Sequence, residues 1–141
     1  MQLFEPAEVM KRLNEKITGS KYFTWGEALW MNDSGAYALP TAVQLHNIVN
    51  LAQALDKVRE HYNKPIMILS WLRTPAHNAL VKGALKSAHL EGKAVDFVIP
   101  EINTFKIQEE LSKNKLLWPW RGEKGVSWVH LDIKGDVWFY P

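Results

Sequence analysis

Two short stretches from different parts of the chain have to meet for its polar residues to make sense. Residues 87–97 read S-A-H-L-E-G-K-A-V-D-F, and residues 128–133 read W-V-H-L-D-I. If residues 93–99 are extended, Val95, Phe97 and Ile99 point one way while Ala94, Asp96 and Val98 point the other. If residues 126–133 are extended, Val129, Leu131 and Ile133 share one face, and Trp128, His130 and Asp132 share the opposite one. Strands patterned this way call for a sheet that packs a core behind and presents a site in front. His89 lies seven residues before Asp96 and supplies a second imidazole. Two His and one carboxylate suit catalytic zinc, which keeps three protein ligands and leaves the fourth position for water. Such water is acidic enough to attack a carbonyl near neutral pH. The expected metal ligands are therefore His89, Asp96 and His130, with Zn2+ as the cofactor. A buried His-Asp hydrogen bond would explain one pair but not the second His.

Composition narrows the chemistry. There is no cysteine, so disulfides and thiolate catalysis are closed to the chain, and a metal must rest on His, Asp or Glu. Lys and Arg number 17 against 15 Asp and Glu, with no long basic run, which argues against nucleic acid as a partner. At 141 residues the expectation is one monomeric domain over 1–141, able to bury roughly 70% of its unfolded surface. The start, M-Q-L-F-E-P-A-E-V-M-K-R-L, lacks a basic segment followed by an apolar run, so it reads as having no signal peptide and as synthesised in the cytoplasm. No stretch approaches the roughly 20 apolar residues of a membrane span.

Taken in order, the chain predicts an N-terminal helix over residues 8–17 within an N-terminal segment 1–20. A brief helix opens at the capping box of Thr24 and Glu27, and residues 32–35 read as loop. The longest helix starts at Thr41, carries Leu45, Ile48, Ala52, Leu55 and Tyr62 at helical spacing, and is stopped by Asn63-Lys64-Pro65. A strand over 66–71 follows, then a short helix from Pro75 to about Gly83 and a loop that delivers His89. The strand over 93–99 ends at Pro100, and a helix spans 103–113. Residues 116–125 read as an irregular aromatic segment, and residues 137–140 as a last strand, the hairpin partner of 126–133. The class is α+β, a small mostly antiparallel sheet with helices on one face and a zinc cleft on the other.

The pattern Ser-x-His-x-x-Gly-x-Ala-x-Asp followed by a late His, filled here by Ser87, His89, Gly92, Ala94, Asp96 and His130, resembles the zinc D-alanyl-D-alanine carboxypeptidase-like metallopeptidases. These cleave peptidoglycan stem peptides and share a zinc-site fold with the vancomycin-resistance D,D-dipeptidases and the hedgehog domain. The stretch K-P-I-M-I-L-S-W-L-R-T-P-A-H-N at residues 64–78 resembles the family's strand, Arg and turn, so the resemblance spans about 21–141. It implies a zinc peptidase that cuts bonds involving D-amino acids in stem peptides or cross-links, as a D,D-carboxypeptidase or endopeptidase. An L-alanyl-D-glutamate endopeptidase, or a zinc-stabilised binding module as in the hedgehog domain, are the alternatives. A wall substrate without a signal peptide implies a phage or prophage endolysin released through a separately made, holin-type pore.

Within that family Arg73 would stabilise the oxyanion of the tetrahedral intermediate, and Ser87 would either bind a substrate carboxylate or cap its loop. The common arrangement puts Glu three residues before the last His ligand, where this chain has Ser127. Two carboxylates compete for the vacated role of general base. Asp132 lies two residues beyond His130 on the same strand face, about 7 Å along it, and Glu123 lies in the preceding loop. Asp132 is the first choice, and its other role would be to orient a histidine. His46, His61 and His77 read as helix-surface or capping residues, and Trp118, Trp120 and Trp128 as core or groove-lining aromatics.

Overall fold

The computed structural model describes residues 4–141, so Met1, Gln2 and Leu3 of the stretch read for a signal peptide lie outside the described residues. In chain order the elements are α1 (Pro6–Val9), α2 (Trp25–Leu29), β1 (Trp30–Met31), β2 (Ala36–Tyr37), α3 (Ala42–Tyr62), β3 (Met67–Ser70), α4 (Pro75–Leu80), β4 (Ala94–Val98), α5 (Thr104–Lys113), β5 (Arg121–Glu123) and β6 (Val129–Asp132). A 3-10 turn over Ala88–Glu91 precedes β4. The main sheet runs β3-β4-β6-β5, every neighbour antiparallel. This is the α+β class expected from the sequence.

Local chemistry explains the principal elements. At the head of α3, the Thr41 side chain accepts from the Gln44 amide while Gln44 accepts from the Thr41 amide, which satisfies two orphan donors at once. The helix ends at Asn63, whose φ of 51° is the left-handed turn that asparagine tolerates. Thr24 and Glu27 form the expected capping box of α2, and Asn103 caps α5.

Leu45, Ile48, Ala52 and Leu55 of α3 join Ile107 and Leu111 of α5 in one buried cluster with Val95, Phe97, Val129 and Leu131. The apolar strand triplets thus face the helices, as alternation requires. Asp96, His130 and Asp132 lie on the other face.

Four local expectations are corrected. The N-terminal helix over 8–17 shrinks to Pro6–Val9, because carbonyls further along are taken by tertiary partners: Leu13 O accepts from Gly26 N at 2.8 Å and Glu15 O from Trp25 N at 3.1 Å. Val9, at the end of α1, and Ile17, in the irregular chain beyond it, are still buried. A two-residue hairpin, β1 with β2, frames the segment read as loop. Residues 121–123, read as irregular, are the edge strand β5. Residues 137–140 are no hairpin partner of β6; they lie beside β5, with Phe139 bridged in parallel to Glu123.

That last contact depends on Gly122. A side chain there would collide with the Trp138 ring and approach the His130 carbonyl oxygen to 2.8 Å. Gly122→Ala is therefore expected to lower unfolding free energy by about 1–3 kcal/mol, measured by urea denaturation. An unchanged midpoint would show that the C-terminal segment gives way without cost.

Candidate metal centre

Antiparallel register sets out the site. Ser70 of β3 is opposite Asp96 of β4, Asp96 is opposite His130 of β6, and His130 is opposite Glu123 of β5. These four residues form one row across all four strands. A second row, two residues along, sets Ala94, Asp132 and Arg121 side by side. His89 enters from the 3-10 turn, where the Ser87 side chain accepts from the His89 amide and Gly92 ends the turn at a φ of 74°.

At Gly92 a side chain would press on the Gln44 carbonyl and Ile48 of α3, each 3.1 Å away. Its lack of a side chain lets the turn lie on the long helix. Gln44 and Asn47 fasten the turn further by donating to the Leu90 and Glu91 carbonyls.

Asp96 is the hub. It is buried, and its Oδ1 faces His130 Nδ1 at 2.8 Å. Its Oδ2 is 3.2 Å from His89 Nε2 and 3.3 Å from Arg73 Nη2. Burial raises the Asp96 pKa, but the neighbouring His89 and His130 imidazoles outweigh it and hold the carboxyl well below the usual carboxylate range.

The rings are oriented from behind. His89 Nδ1 faces the Trp71 carbonyl at 2.7 Å, and a carbonyl only accepts, so Nδ1 carries the proton. In the neutral ring Nε2 then presents a lone pair. It is buried and has no hydrogen-bond partner, yet lies near a carboxylate oxygen. Two acceptors facing each other fit a cation between them. The ligand atoms of His89, Asp96 and His130 all lie within 4.8 Å of one another, close enough for one ion to touch all three. The donor set of two imidazoles and a carboxylate suits zinc.

Asp132 sits on the far side of His130. Its Oδ2 is 2.9 Å from His130 Nε2, while Oδ1 accepts from Arg121 Nε at 2.6 Å and from the Lys134 amide at 3.0 Å. The residue is 0% exposed, so both oxygens are committed and neither faces a reacting water. Glu123 is the opposite case. It borders the cleft half-buried, with no hydrogen bond or ion pair to its carboxylate among the described residues, and burial, helped by the charges of Asp96 and Asp132, pushes its pKa up although His130 pulls it down.

A cleft of about 490 Å³ opens over this face, with Arg73, Ser87, Trp128 and Phe139 on its walls. Arg73 is fixed by Ser70 Oγ and Asn78 Oδ1 as well as by Asp96. Trp118 is in the core and Trp120 packs against it, so of the three tryptophans singled out it is Trp128 that lines the cleft. His46 and His61 are exposed as expected. His77 corrects the reading: it is buried on α4, its Nδ1 against Ser34 Oγ.

Several supports were not legible beforehand. The Trp71 carbonyl is backbone and leaves no side-chain signature. Asn78 and Arg121 gain their roles only through folding. Spacing offers a faint signal for Asn78 alone, five residues after Arg73 in the short helix.

A model of the peptidase M15 family matches residues 21–132, from before α2 to the end of β6. The chain belongs to the peptidase M15 family. The match takes in Arg73, His89, Asp96, Glu123, His130 and Asp132 and stops short of Phe139. A search of curated proteins finds no match. As an M15 peptidase the chain acts on a peptide, and the family is typically metal-dependent. Among the described residues no helix is long and apolar enough to cross a membrane.

Without metal, His130 lies between two carboxylates. Burial lowers its pKa, but the hydrogen bonds to Asp132 and Asp96 win and raise it to about 9. A metal entering at Nδ1 of this M15 site must displace a proton, so apparent zinc affinity is expected to rise about tenfold per pH unit up to about pH 9, with one proton released per ion. Calorimetry in buffers of different ionisation enthalpy measures this. Affinity independent of pH, or a His130→Ala variant that binds zinc as tightly as the parent, would contradict the assignment.

Proposed function

We propose that this M15 chain is a zinc-dependent peptidase that hydrolyses bonds involving D-amino acids in peptidoglycan stem peptides or cross-links, as a D,D-carboxypeptidase or endopeptidase in wall lysis. One observation carries the reading: His89, Asp96 and His130 converge within the reach of one ion, while Glu123 offers an uncommitted carboxylate from the neighbouring strand. His89, Asp96 and His130 would hold the zinc. The metal would supply Lewis acidity, polarising a peptide carbonyl and acidifying water.

Glu123 takes the role of general base. Its carboxylate has no partner to release, and a raised pKa suits a group that must accept a proton and pass it to the leaving amine. It would supply the carboxylate that the sequence lacks at Ser127.

Asp132 becomes a positioning residue, because its oxygens hold His130 Nε2, Arg121 and the Lys134 amide. Arg73 donates to the oxyanion that forms when the carbonyl becomes tetrahedral, from a guanidinium held on Ser70 and Asn78. Ser87 uses its oxygen to cap the turn, which leaves its hydroxyl proton to donate to a substrate carboxylate.

Purified peptidoglycan incubated with the protein, then with chelator, then with zinc restored, should yield soluble peptides that vanish and return, with the bond identified by mass spectrometry of the new termini. Bound zinc without products from any wall chemistry would favour the binding module instead. Glu123→Gln is expected to keep its zinc and lose about 10²–10⁴-fold in kcat. Asp132→Asn should act through the metal, weakening zinc affinity by about 10–100-fold, and Arg73→Ala should lose about 10²–10³-fold in kcat. Because Glu123 must be ionised to accept a proton, kcat/KM should fall as pH drops through its raised pKa. That acid limb should be absent from the residual activity of Glu123→Gln. An acid limb that survives the substitution would assign the base elsewhere.

A further inference from the structure

Arg121 is held rigidly yet left open at its tip. Its Nε donates to Asp132 Oδ1 at 2.6 Å, and its guanidinium carbon lies 5.2 Å from the centre of the Phe139 ring. Its two terminal amino groups have no partner among the described residues. The side chain is 30% exposed and borders the cleft. A guanidinium fixed at its inner nitrogen with its outer fork free is preorganised for a planar anion.

The surrounding charge agrees with this. Asp132 is buried and fully committed to its partners. Lys82 and Lys86 border the same cleft, and neither side chain makes an ion pair among the described residues. Against these cations the cleft sets one uncommitted carboxylate, Glu123. Position also agrees: Arg121 is opposite Asp132, two residues along β6 from the row of Asp96 and His130, about 7 Å away by strand rise. An extended peptide advances about 3.3 Å per residue, so a carboxylate one or two residues from a bond lying over that row comes within reach of the fork.

We propose that Arg121, braced by Asp132 and Phe139 and aided by Lys82 and Lys86, is a carboxylate-binding subsite that selects peptides carrying a negative charge next to the bond to be cut. The charge is either a free C-terminus or an acidic side chain. This rests on the reading of the cleft as a peptidase site.

The test is equilibrium binding to the zinc-loaded protein of peptides in which a methylene amine replaces the scissile amide. One ends in a free carboxylate, one in an amide, and one in an amide beside a Glu side chain. At least one acid should bind about tenfold or more tighter than the neutral peptide, and the identity of that acid tells which source of charge is read.

Arg121→Lys retains a cation for Asp132 but loses the fork, so it should reduce the preference to about twofold or less while retaining one zinc. Equal affinity of the wild-type protein for acids and amide overturns the proposal, as does a preference that survives Arg121→Lys. Should that variant lose its fold or its zinc, the pair Lys82→Ala and Lys86→Ala decides. The preference should then fall about threefold and lose part of its salt dependence, and no change in either overturns the proposal. Because the peptides are not cleaved, acid preference without turnover on wall peptides would sink the catalytic reading and leave the subsite standing.

Discussion

The Asp96 carboxylate is the point on which the rest of this structure leans. A buried carboxylate costs several kcal/mol in lost hydration unless its surroundings compensate, and here His130, His89 and Arg73 all turn toward it. Each arrives on a different element: the strand beside β4, the turn before it, and the chain leaving the strand on its other side. Satisfying one charge therefore fixes the relative placement of β3, β4, β6 and the Ala88–Glu91 turn. The same carboxylate gathers the groups able to hold a cation.

The sheet converts this into a graded site. Strand pairing gives two parallel rows, one with Asp96, His130 and Glu123, the next with Asp132 and Arg121. In the first row the groups face the cleft or one another. In the second, Asp132 looks back at His130 and holds Arg121, so orientation of the imidazole and orientation of the guanidinium come from one buried carboxylate. Sites built on strands are held more precisely than sites built on loops. His89 is the exception, carried by a short turn, and it is secured by the Trp71 carbonyl and by Gln44 and Asn47 of α3.

Asp132 and Glu123 differ in their geometry around His130 in a way that spacing along the chain does not convey. Two residues along a strand do place Asp132 on the face of His130, as alternation says. The rotation of the imidazole then decides which nitrogen each carboxylate meets, and Asp132 meets the far one. Glu123 lies seven positions before His130, in a segment that reads as irregular along the sequence. It becomes the cross-strand neighbour of His130 because residues 121–123 pair as β5, a three-residue strand too short to show periodicity.

What the sequence determined by itself was local and periodic. Alternation around Asp96 and His130 assigned the core face and the polar face. The Thr24 and Glu27 cap and the Thr41 start placed two helices, and the spacing of Ser87, His89, Gly92, Ala94 and Asp96 pointed to the family that the match over residues 21–132 bears out. What only the tertiary structure decided was non-local. It left α1 at one turn because Leu13 and Glu15 carbonyls found partners across the fold, carried Phe139 and Trp138 to β5 rather than β6, buried His77, and put Asp132 behind its histidine. These outcomes depend on which backbone groups and ring nitrogens find a partner across the fold, and nothing in a residue's own neighbourhood along the chain encodes that choice.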